Sequence, residues 1–223
     1  MNKLEKALSK LLKNSELTSC LATVLAQASR ENTISYTEVK KIAGDDAEDV
    51  LLLGDKWRLL LPVRTLKTAA WEDRLLLCKP GESYEVPNIV RCLVEDARTT
   101  GSWDPEHAIT ELFEEMGEPA WEKMSKLIGR LEEQGEHFRI AAVQITKTCR
   151  ELGLGNRVDT LIAELKGSGV MSPKLGSLAE VLGEGSPLYE LNPSVFMKRD
   201  GNKGNPNCGR RQSLRRFWQH VGV

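Results

Sequence analysis

What this chain lacks narrows its class first. No stretch approaches the roughly 18 to 20 unbroken apolar residues that a membrane-spanning helix needs, and Met1 to Lys13 has no apolar centre of the kind a secretory signal carries. Cysteine is sparse and unpaired: Cys20, Cys78, Cys92, Cys149 and Cys208 are odd in number and never stand as C-x-x-C. That argues against a secreted disulfide framework and against a cysteine-rich zinc site. A cytoplasmic protein with reduced cysteines is expected. Catalytic signatures are missing too. His107, His137 and His220 lie far apart and in no metal spacing, and Gly153-Leu154-Gly155 lacks the third glycine of a dinucleotide loop. There is no G-x-x-x-x-G-K-[ST] loop and no G-x-S-x-G elbow. Paired carboxylates such as Glu114-Glu115 and Glu132-Glu133 read as solvated helix faces. The expectation is a protein that is not an enzyme and holds no cofactor and no metal.

What is present is an ordinary globular composition, 40% hydrophobic and 28% charged over 223 residues, enough for one large domain or two small ones. The formal net charge of −1 hides a strong segregation. Trp103 to Glu136 holds ten acidic and three basic residues, whereas Met197 to Val223 holds seven basic and one acidic. One part repels polyanions and another attracts them.

Along the chain the apolar spacing is helical. Leu4, Leu8, Leu11 and Leu12 share a face of a short N-terminal helix with a lysine edge, and Leu21, Val24, Leu25 and Ala28 mark a second. Ile34 reads as a brief strand contact, Tyr36 to Ala43 as a helix, and Asp46 as the start of another reaching Leu53. Trp57 to Val63 then reads as a buried strand and Thr65 to Leu77 as a helix. Pro87 opens a helix over Asn88 to Arg98, Asp104-Pro105 opens the next, and Trp121, Met124, Leu127, Ile128 and Leu131 line a third.

From Arg139 to Phe196 the order is helix, turn, helix and a short extended return. Gly153 suits the left-handed end of one helix, and Asn156 stands at the start of the next, whose stripe is Val158, Leu161, Ile162 and Leu165. Val170-Met171 and Pro187 to Pro193 read as the strands of a hairpin with its tip at Ser172 to Ser186. These residues, TCRELGLGNRVDTLIAELKGSGVM followed by PLYELNPSVF, resemble the winged helix-turn-helix superfamily over residues 138–197. A weaker likeness of the same order covers residues 16–64, whose third helix carries Asp45, Asp46, Glu48 and Asp49. The fold implied is mainly α with small β-wings, a winged helix-turn-helix, in tandem if the first likeness holds, joined by a helical segment. The expected division is a helical, winged-helix-like domain over 1–100, an acidic connector over 101–137, the second winged helix over 138–197 and a flexible basic tail over 198–223.

The resemblance implies a helix laid in the DNA major groove beside a wing. On that expectation Asn156, Arg157 and Thr160 meet base edges, and Lys147, Arg150 and Lys174 hold phosphates. Arg210, Arg211, Arg215 and Arg216, followed by Phe217 and Trp218, would track adjacent backbone. Against this, Asp159 and Glu164 share the same helix, and residues 139–196 balance six basic against six acidic. Two functions therefore stand open: a DNA-binding transcriptional regulator, two-fold dimeric by analogy with the superfamily, or a scaffold that binds protein partners through the acidic helices of 103–136 or the basic tail. No membrane partner is expected.

Overall fold

The computed structural model describes residues 1–13, 16–68, 70–174 and 186–196. Its first helix, α1 (Lys3–Leu11), begins where Asn2 Oδ1 accepts the Glu5 N–H at 2.7 Å and Glu5 Oε2 accepts the Asn2 N–H at 3.1 Å. That reciprocal cap satisfies two backbone donors that the first turn cannot satisfy itself. Leu4, Ala7, Leu8 and Leu11 form its buried face, which packs against α2 (Thr18–Glu31) and α5 (Asn88–Thr100).

After α2 come β1 (Thr33–Ser35), α3 (Tyr36–Ala43), α4 (Ala47–Lys56), β2 (Leu61–Pro62) and β3 (Ser83–Glu85). The three strands form an antiparallel sheet in the order β1-β3-β2, with Tyr84 of the central strand opposite both Ile34 and Pro62. A second set repeats this course. Helix α7 (Met124–Gln134) leads to β4 (Arg139–Ala141), α8 (Ala142–Glu151), α9 (Val158–Gly167), β5 (Met171–Pro173) and β6 (Leu188–Leu191). Its sheet order is β4-β6-β5, and Tyr189 of the central strand again lies opposite an isoleucine, Ile140, and a proline, Pro173. Proline suits both edge strands because it has no N–H to donate to a ladder. Small details recur as well. Glu38 accepts the Ser35 N–H and Gln144 the Ala141 N–H, so each second helix starts with its third residue reaching back. The recurrence reaches beyond the stretches 16–64 and 138–197 whose sequence order looked alike, since β3 joins the first sheet only after residue 64 and α7 precedes residue 138.

Two expectations change. Thr65 to Leu77 is not a helix: Leu66 N–H donates to Asp73 O at 2.7 Å and Leu75 N–H to Arg64 O at 2.9 Å, making two facing arms with one short 3₁₀ turn at Trp71–Asp73. The Asp73 carboxylate accepts from both the N–H and the hydroxyl of Thr68, which draws the chain back on itself. The strand expected over Trp57 to Val63 shrinks to Leu61–Pro62, because the Leu59 and Leu60 N–H groups both donate to Gly54 O and close the end of α4.

Helix α6 (Pro105–Glu115) folds back on α5 and carries the chain to α7. The two sets also touch directly. Arg58 reaches Glu190 on β6 with two nitrogens, each at 3.0 Å, while donating to Asp55 at 3.1 Å and lying over the Trp71 ring. Buried Asn192 donates to the carbonyls of Gly169 and Arg58 and accepts from the N–H and hydroxyl of Ser194. One continuous apolar core runs from Leu4 to Phe196.

Candidate nucleic-acid interface

The exposed residues expected to meet DNA lie on α8, on α9 and in the turn between them. Helix α8 ends at Glu151 with Leu152 as its cap, and Gly153 takes a φ of +71°, the left-handed geometry its position suggested. Leu154 N–H then returns to Cys149 O at 2.7 Å, and a short 3₁₀ turn over Gly155–Arg157 leads into α9. Leu161 and Leu165 bury the inner face of α9, with Val158 and Ile162 half-buried beside them, as the spacing requires.

The expected contact residues separate into three groups. Asn156, in the 3₁₀ turn before α9, and Thr160, in the first turn of α9, are exposed, and Lys147 and Arg150 are exposed on α8, neither in an ion pair among the described residues. Arg157 and Lys174 are in pairs. The Arg157 guanidinium donates to Glu118 Oε2 at 2.6 Å and lies 4.0 Å from Glu164 Oε1. Lys174 pairs with Glu72 of the first set's long β2–β3 connection. To reach a base or a phosphate, each would have to leave a carboxylate. The third group, Arg210, Arg211, Arg215 and Arg216, lies outside the described residues, as does most of the hairpin tip, 175–185.

Around Arg157 the electrostatics are unusual for a surface helix. The Glu118 side chain is 0% exposed. Burial alone would raise its pKa, but hydrogen bonds from Arg157 and from the Ala120 N–H outweigh that and hold it below the ordinary range. Glu164 goes the other way: burial, then the neighbouring Glu118 carboxyl, push it up to about 7 despite Arg157. Two carboxylates facing one guanidinium disfavour each other's ionisation, and Glu164 is the one that holds its proton more tightly. Chemically the cluster ties the first turn of α9 to the loop before α7. Lys123 adds to that tie by donating to Leu152 O at 3.1 Å. Sequence reasoning missed Glu118 because it lies 39 positions from Arg157, in a stretch read only as acidic.

A protein-family model matches residues 2–200, and its description states no activity. No curated protein and no solved structure matches the chain.

Proposed function

The chain belongs to the family matched over its residues 2–200, and from its geometry we propose a DNA-binding protein, a transcriptional regulator built from two winged helix-turn-helix units. Support for the fold is the twice-repeated course of helix, strand, two helices and two wing strands, with sheet orders β1-β3-β2 and β4-β6-β5. Support for the DNA contact is the juxtaposition of exposed Asn156, in the turn that leads into α9, and exposed Thr160 on α9 with Lys147 and Arg150 on α8, which are exposed and in no ion pair among the described residues. Asn can present donor and acceptor together to an adenine edge, and the two cations neutralise flanking phosphates. In this reading Arg157 acts by holding the first turn of α9, and the second unit is the one that meets DNA. The first unit is unsuited to it, since Asp45, Asp46, Glu48 and Asp49 crowd the start of α4.

A second reading has its own observation. Lys174 and Arg157 are both committed to intramolecular carboxylates, which leaves a sparse positive face and favours a scaffold whose partners are proteins. Titrating the full-length protein and a 1–197 truncation against random-sequence duplex DNA at low and physiological salt separates the two. DNA binding predicts an affinity that falls steeply with salt, the slope decreasing by roughly 0.9 for each phosphate contact removed. Binding by neither form at low salt sinks the regulator and leaves the scaffold.

A further inference from the structure

Helices α5 and α6 form an antiparallel hairpin across Gly101, and their facing sides bring together one imidazole and two carboxylates. His107 and Glu111 are four apart on α6 and so share a face, while Asp96 projects from α5. His107 Nδ1 and Asp96 Oδ2 are 2.8 Å apart, and one ligand atom from each of Asp96, His107 and Glu111 lies within 4.8 Å of the others. His107 is held at the start of α6 by the Asp104 cap, whose Oδ1 accepts the His107 and Glu106 N–H groups at 3.2 Å each. The Asp96 side chain is 19% exposed and His107 63%, so the cluster opens to solvent on the His107 side.

We propose that Asp96, His107 and Glu111 form a binding site for a divalent first-row transition-metal ion of the zinc type, clamping α5 to α6. The site is separate from the proposed DNA face and does not depend on it. The donor set selects the ion. Imidazole suits Zn²⁺ and its neighbours, whereas Mg²⁺ and Ca²⁺ prefer oxygen alone. Three protein ligands at about 2.0 to 2.2 Å require ligand atoms roughly 3.4 Å apart. The ligand atoms now lie within 4.8 Å of one another, so binding requires the side chains to turn to that spacing. Cys92 lies one turn before Asp96 but outside the set, so the fourth position falls to water. An ion there bridges the hairpin that links the two winged-helix-like sets, which makes its role that of a staple.

The test strips the full-length protein with EDTA and titrates it with Zn²⁺ against a chromophoric chelator, then with Co²⁺ while recording visible d–d absorption. One equivalent per chain is expected, with a rise in melting temperature and no competition from excess Mg²⁺. His107→Ala and, as an independent variant that preserves shape, Glu111→Gln should each weaken that equivalent on the order of tenfold or more. Both variants should keep the wild-type helix content by circular dichroism in EDTA. Wild-type protein that takes up no Zn²⁺ below millimolar concentration overturns the proposal. So does one equivalent bound equally well by both variants, which would place the ion elsewhere.

Discussion

Glu164 shares Arg157 with the buried Glu118 and is raised from 4.5 to about 7. A carboxyl raised in the folded state binds its proton more tightly there than in the unfolded chain. Its contribution to stability is therefore fully present below 4.5 and is lost as pH climbs through about 7. Glu164→Gln keeps the shape and removes the charge. The variant should gain on the wild type in melting temperature as pH rises from 4.5 to 8, with most of the gain falling before about 7. A difference that stays flat across that range would mean that Glu164 ionises freely. None of this was legible along the chain, where Arg157 was expected to face a base. A helix-start arginine looks the same whether its partner is a guanine or a carboxylate brought in from the loop before α7.

The helices show how far periodicity carries. Stripes such as Ile109, Leu112 and Phe113, or Leu127, Ile128 and Leu131, locate α6 and α7, because a helix that buries one face must repeat its apolar residues every three to four positions. Segments shaped by side-chain caps and facing arms leave no such trace, and Thr65 to Leu77 was misread for that reason. Junctions between elements are equally silent. The N-terminus of α5 meets the end of α9: Ile89 N–H donates to Ser168 O at 2.9 Å, and Gly169, at φ +79°, lies where a Cβ would come within 2.5 Å of Pro87 Cβ. Gly169→Ala should therefore cost about 2 to 4 kcal/mol, from the left-handed backbone and from the clash with a rigid ring. Urea unfolding checks it. A cost below about 0.5 kcal/mol would mean that α5 and α9 separate without penalty.

At the scale of the whole molecule, the two sets are held together by polar groups that converge on Arg58 and Asn192. Arg58 has a positive φ of 52° and serves Glu190, Asp55 and the Trp71 ring at once, with its side chain 17% exposed and that of Glu190 15%. Truncating one partner of such a pair strands the other, so Arg58→Ala should destabilise the protein by about 2 to 5 kcal/mol. Joint truncation with Glu190→Ala should recover part of that loss in a double-mutant cycle. Strict additivity would show that the two side chains do not depend on each other.

Several properties follow from the order of residues alone: the amphipathic helices, the boundaries at Pro87 and Asp104-Pro105, the repeat of helix, helix and strand, and the partition of charge between an acidic middle and a basic end. These are local, set by side-chain spacing and backbone preference within a few residues. Which cations remain at the surface is not local. Lys174 meets Glu72 and Arg157 meets Glu118 only after the chain has closed on itself, and Asp96 meets His107 only across a helical hairpin. Ion pairs and metal-ligand clusters depend on distances of a few ångströms between segments remote in sequence, and packing of the core sets those distances.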